Sequence, residues 1–189
     1  MISHFHWTAP RCLAYFGILL GPLLLASSLV AQPASGAFGF KGVVSGFPTG
    51  EVFLSGGGAY DPTTSFAKAG GGFRCFQDVE QGPLSISINP DDPGPCLAGQ
   101  GVRWDTAGLL QSTTFKCTGA ATELLKIAVT SDTTVVLQAD LYRAGDANDE
   151  SFTAKMIVSA TDLAPEIEGN QNLWVQGVGC GTAIAHFRH

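Results

Sequence analysis

Residues 125–158 read LKIAVTSDTTVVLQADLYRAGDANDESFTAKMIV, and the spacing of their apolar side chains decides the fold class. Leu125, Ile127 and Val129 recur at a period of two, as do Val135, Leu137, Ala139 and Leu141, and then Phe152, Ala154, Met156 and Val158. An extended chain turns every second side chain to the same side, so each run predicts a half-buried strand. Thr130-Ser131-Asp132-Thr133 is short enough for a hairpin turn, and Ala144 to Glu150 makes a longer polar loop. Three strands joined in this way predict an antiparallel meander.

Upstream the same period continues through Val52 and Leu54, through Phe73, Cys75 and Val79, and through Leu84, Ile86 and Ile88. The last apolar stretch, Leu173 to Phe187, contains Gly177, Gly179 and Gly181, which predicts two strand pieces joined at a bulge or bend. With 24 glycines and only 14% charged residues, the composition suits short strands and tight turns. The fold class expected is therefore all-β, an antiparallel sandwich or barrel-like domain with at most one short helix. That helix would be Asp105 to Gln111, capped by Asp105 with Leu109 and Leu110 turned inward, although Gly108 opposes it. Gly56-Gly57-Gly58 and Gly70-Gly71-Gly72 lack the strand, helix and lysine of a phosphate loop. They predict turns or bulges where the backbone approaches another strand or a flat ligand.

Residues 1–31 read as a signal peptide. His4, His6 and Arg11 form a weakly positive start, Leu13 to Ala26 an apolar run broken by Gly17, Gly21 and Pro22, and small residues follow. Cleavage is expected between residues 31 and 37. The competing reading is an uncleaved anchor over Cys12 to Val30. Residues 32–49 are expected as a flexible linker or first edge strand, centred on Phe40 to Val44, and residues 50–189 as a single β-domain.

Four cysteines follow the leader: Cys75, Cys96, Cys117 and Cys180. An even number in an exported domain predicts two disulfides. Three pairings satisfy the count, and Cys75 with Cys96 and Cys117 with Cys180 is preferred among them. A zinc site is disfavoured, since no CxxC pair exists and the remaining histidines, His186 and His189, end the chain. This cysteine usage and the leader predict an extracellular or periplasmic location.

The segments GEVFL at 50–54, GGGAY at 56–60, GGFRC at 71–75, GVRWD at 101–105 and WVQGVGC at 174–180 resemble a group of uncharacterised exported bacterial proteins. The resemblance runs through most of the chain after residue 40. It implies a secreted β-domain and brings no activity with it.

Asp146, Asn148, Asp149 and Glu150 gather hard oxygen ligands on one loop and make a calcium candidate. The EF-hand pattern fails there, because Ser151 replaces the turn glycine and Ile157 the bidentate glutamate. No other cofactor is expected. Glu51, Asp61, Asp78, Glu80 and Asp105 stand near expected strand ends and could supply the paired carboxylates of a small secreted glycoside hydrolase. No GxSxG elbow supports a serine nucleophile. Among Tyr60, Trp104, Tyr142 and Trp174, the pair Tyr142 and Trp174 lies opposite its strands' apolar faces and forms the expected ligand platform. The net charge of −6 is expected to repel polyanions, so nucleic acid is not an expected partner, and membrane contact is expected only through the export signal. The leading expectation is a secreted, non-enzymatic β-domain that binds a cell-surface or envelope component or serves a structural role, with the glycoside hydrolase as the alternative.

Overall fold

The computed structural model describes residues 35–46, 50–79, 86–89, 92–94, 96–142 and 151–189. The chain divides at Ala31/Gln32, and all described residues belong to the second unit, Gln32–His189. The strands are β1 (Gly36–Gly46), β2 (Glu51–Asp61), β3 (Phe66–Gln77), β4 (Ile86–Asn89), β5 (Asp92–Gly94) and β6 (Arg103–Leu109). They continue with β7 (Ser112–Phe115), β8 (Lys126–Val129), β9 (Thr134–Tyr142), β10 (Ser151–Ser159), β11 (Leu173–Val175) and β12 (Gly179–Arg188). Eight of them close an antiparallel barrel in the order β1-β12-β11-β10-β9-β6-β3-β2, while β4-β5 and β7-β8 form two small separate sheets. The expected all-β, barrel-like class is the observed one.

Alternation fills the barrel. Val44, Val52, Leu54, Leu137, Met156 and Val158 point inward and are fully buried, as an eight-stranded barrel of this size requires. The widest occupant is Trp104 on β6, whose Nε1 donates to the Ser55 carbonyl at 3.0 Å. Its indole fits because the two glycine triplets lie side by side, Gly56 opposite Gly71 and Gly57 opposite Gly70. A Cβ on Gly56 would stand 2.5 Å from Trp104 Cζ2, and one on Gly71 2.7 Å from Trp104 Nε1 and against the Ser55 carbonyl. The triplets thus mark close approach to neighbouring strands, as at Gly57 against the Phe38 carbonyl and Gly58 against the Lys68 carbonyl, and at Gly56 and Gly71 to the protein's own indole as well. At one end of the barrel the buried Tyr60 hydroxyl shares its proton between the carbonyls of Ser131 and Asp132 (3.0 and 2.9 Å), fastening the turn before β9 over the opening.

Several expectations are corrected. Asp105 to Gln111 is not a helix: it lies mostly in β6, where Trp104 and Leu109 face inward and Gly108 sits at a register shift. The segment expected as linker or first edge strand, β1, is paired on both sides, with β12 and with β2, and is an integral wall strand. The β9–β10 hairpin matches the expected ladder from Thr134 opposite Ser159 to Tyr142 opposite Ser151. β8 does not join it as a meander: it pairs with β7, and the resulting flap lies on the barrel's outer wall. Leu125, Ile127 and Val129 share a face as expected, but that face is turned to solvent, and Ala128 is the buried residue. β11 and β12 are two strands joined by a tight turn over Gln176–Val178, as the glycines indicated.

Two disulfides close the structure, Cys75–Cys96 (Cα–Cα 6.3 Å) and Cys117–Cys180 (Cα–Cα 4.6 Å). The first ties β3 to the loop before β6, and the second ties the flap to β12. Beneath the flap a second apolar cluster forms from Phe115, Cys117, Ala128, Val136, Ile157, Ala164, Trp174 and Cys180.

Candidate functional site

Outward-pointing residues of β12, β1, β2 and β3 fall in register across the wall. One row runs Thr182, Val43, Phe53, Arg74; the next Ile184, Lys41, Ser55, Gly72; the third His186, Gly39, Gly57, Gly70; the fourth Arg188, Ala37, Ala59, Lys68. Glycine and alanine hold the centre, so the sheet lies almost bare there. Arg74, Lys68 and Arg188 stand on the flanking strands, and Lys41 lies on β1 between them.

Aromatic side chains rise at one end of this face. The Phe53 and Phe76 rings stack at 5.7 Å with 14° between their planes, and Phe76 remains 48% exposed. Lys41 Nζ sits 5.8 Å from the Phe53 ring centroid, a cation–π distance. Together with Ser55, Gly72, Arg74 and the half-exposed Val102, the two phenylalanines line a hollow of about 450 Å³. A smaller hollow of about 310 Å³ lies between β1 and β12, lined by Ala37, Phe38, Gly39, His186 and Arg188. The exposed aromatic face can stack on a sugar ring or another flat group, and the adjoining cations can hold an anion.

The ligand platform expected from Tyr142 and Trp174 is not formed. Trp174 is 6% exposed, packs against Phe115 at 5.6 Å under the flap, and donates its Nε1–H to the Lys116 carbonyl at 2.8 Å. Tyr142 lies at the far end of β9, with the Arg103 guanidinium 4.4 Å above its ring. By register Trp174 stands opposite Ile157 and Ile157 opposite Val136, six residues or about 20 Å along β9 from Tyr142. Tyr60 and Trp104 are sealed in the barrel.

Among the described residues the nominated carboxylates are spread over the barrel, except that Glu51 lies opposite Gln77, the neighbour of Asp78, across the β2–β3 ladder. Glu51 and Asp61 occupy opposite ends of β2. Asp61 accepts the Thr63 amide in a local turn (2.8 Å), Asp78 accepts the Ala98 amide (2.7 Å), and Asp105 pairs with Arg103 at 3.5 Å. A pairing that the sequence reading did not nominate sets Asp105 opposite Asp140, whose carboxylate accepts the Thr153 hydroxyl at 3.0 Å. Among the described residues, the carboxyls displaced from their ordinary acidity, Asp61, Glu123 and Glu166, move down, the direction opposite to that of a general acid. For Asp61 and Glu123 burial pulls upward and hydrogen bonds overcome it; for Glu166 the Lys126 hydrogen bond leads.

Glu80 and the calcium candidate Asp146, Asn148, Asp149 and Glu150 lie outside the described residues. Among the described residues no three His, Cys, Asp or Glu side chains gather as metal ligands.

Phe53, Phe76, Lys41 and Arg74 are not singled out by the sequence pattern, because they lie outside the apolar phase by which each strand is recognised. The signal was present in Val52-Phe53-Leu54, where a large aromatic occupies the phase that the alternation assigns to the outside. No protein-family model, curated protein or solved structure matches the chain.

Proposed function

We propose that this protein is a binding module that works outside the cytoplasm and recognises a cell-surface or envelope component with the outer wall formed by β12, β1, β2 and β3. The observation that carries the reading is the stacked Phe53–Phe76 pair, with Phe76 half-exposed, beside Lys41 and Arg74 and next to a stretch of the face formed by Gly39, Gly57, Gly70, Gly72, Ala37 and Ala59. Rigid wall strands supply this surface, so little ordering is needed when a ligand binds. The apolar leader expected over residues 1–31 supports export, and two disulfides are compatible with an oxidising extracellular or periplasmic compartment.

The test is a thermal melt of the mature, oxidised domain against a panel of neutral and acidic envelope glycans, repeated with Phe53→Ala/Phe76→Ala. A glycan at 100 times its dissociation constant adds about 2.7 kcal/mol to the stability of a protein that binds it only when folded. The expected outcome is a raised midpoint with at least one glycan and no shift in the double variant. A flat panel, or a shift that the double variant retains, removes this wall as the binding face.

A further inference from the structure

Charge is segregated on this molecule in a way that its net value hides. The strands β12, β1, β2 and β3 carry four basic residues, Lys41, Lys68, Arg74 and Arg188, against two acidic ones, Glu51 and Asp61, a balance of +2. Elsewhere the described chain carries four basic residues against nine acidic ones, a balance of −5. Both acids of the four-stranded wall sit at the ends of β2, so the four rows of the face contain cations and no carboxylate. The nearest described acid across the seam, Asp105, stands opposite Gly70 with a carboxylate oxygen over it, lines one hollow with Lys68, and pairs with Arg103 at 3.5 Å. Among the described residues, Lys41, Lys68, Arg74 and Arg188 form no ion pair.

The bareness of the floor has a second peculiarity. Gly71 and Gly56 are required by the indole beneath them, but Gly39 is not required by packing: a Cβ there would meet nothing closer than 3.9 Å, and its φ is not positive. Glycine inside a strand weakens it. Folding therefore gives no reason to leave this position empty, whereas a ligand lying flat on the wall does.

From these features we infer that the ligand is an acidic glycan, a linear sugar chain bearing carboxylate or phosphate groups, laid across the glycine–alanine floor. One ring stacks on the Phe53–Phe76 step, and the anionic groups fall to Lys41 and Arg74 at one end and Lys68 and Arg188 at the other. This rests on the binding-module reading above and adds the ligand's class. Strand and residue spacings put the four cations about 12–25 Å apart. Such a spacing suits a chain with scattered charges, whereas duplex DNA carries one charge per about 1.7 Å of axis and meets the repulsion of the acidic remainder.

The experiment measures binding of the mature domain to polygalacturonate, neutral dextran, phosphatidylglycerol vesicles and single-stranded DNA at low and moderate salt. Three variants accompany it: Lys68→Glu/Arg188→Glu, Gly39→Val and Phe76→Ala. The inference expects polygalacturonate to be preferred over dextran, with affinity falling roughly tenfold or more between about 50 and 300 mM salt as released counterions cease to favour the complex. Lys68→Glu/Arg188→Glu should lose at least tenfold in affinity. Gly39→Val should lose binding while its melting midpoint stays equal or rises, a result that a purely structural glycine would not give. Equal, salt-insensitive binding of dextran overturns the acidic class and leaves the binding module standing. Preference for vesicles or DNA overturns it in favour of that ligand. Binding to none of the four overturns the inference, and if the neutral glycan panel is also flat, the module reading falls with it.

Discussion

At the scale of single residues, the barrel is organised around one indole. Trp104 is fully buried, and its neighbours Gly56 and Gly71 are small because the ring occupies the space that their side chains would need. Gly71→Ala should therefore cost about 1–3 kcal/mol, the usual penalty of overpacking, read as a lower urea midpoint with an unchanged slope. An unchanged midpoint would mean that the triplets are simple spacers. The triplets were visible in the sequence as points of close approach, but their partner was not, because Trp104 and Gly71 meet only through the pairing of β3 with β6. Phe53 was equally visible as a letter and equally silent as a site: its meaning depends on Phe76 coming alongside it across the β2–β3 ladder.

At the scale of elements, the flap shows how alternation can be read correctly and placed wrongly. The period of two groups Leu125, Ile127 and Val129, but a period does not say which of a strand's two faces finds a partner. Here Lys126 turns inward to Glu123 (2.8 Å) and Glu166 (2.6 Å), and the small Ala128 lets the hairpin lie close against Val136, Ile157 and Trp174. Ile127→Lys should consequently change stability by no more than about 0.5 kcal/mol, while Ala128→Leu should cost about 1–3 kcal/mol. The reverse order in a denaturant titration would restore the orientation expected from the sequence.

The flap's anchor also sets an acid limit. Burial alone would raise the Glu123 carboxyl, but Lys126, the Thr118 hydroxyl and the amides of Cys117 and Thr118 hold it down at about 2. A carboxyl depressed on folding stabilises the folded state above its ordinary value of 4.5 and loses that contribution as pH falls towards about 2. Stability of the wild type should thus decline through that window. Glu123→Gln should start about 1–3 kcal/mol lower at neutral pH and decline less steeply. Parallel acid profiles for the two proteins would discard the anchor.

At the scale of the whole molecule, net charge and local charge point in opposite directions. A chain of −6 is expected to repel polyanions, but at physiological salt charges more than a Debye length apart, about 8 Å, are largely screened. Within that distance the field is set by which strands are neighbours, and barrel closure brings Arg188, near the end of the chain, beside Ala37, with Lys68 two strands further along the same row. The sequence by itself determined the all-β class, the strand alternation, the β9–β10 hairpin and the four cysteines available for bridging, because period, turn chemistry and residue type are local properties. It left a cysteine pairing preferred but open, and the structure fixed it. Only the tertiary structure decided the closure into a barrel, the outward face of β8, the seat of Trp104 and the cationic wall. Each of these depends on which distant segments share a ladder, and one strand's side chains carry no record of the strand that will lie 4.8 Å away.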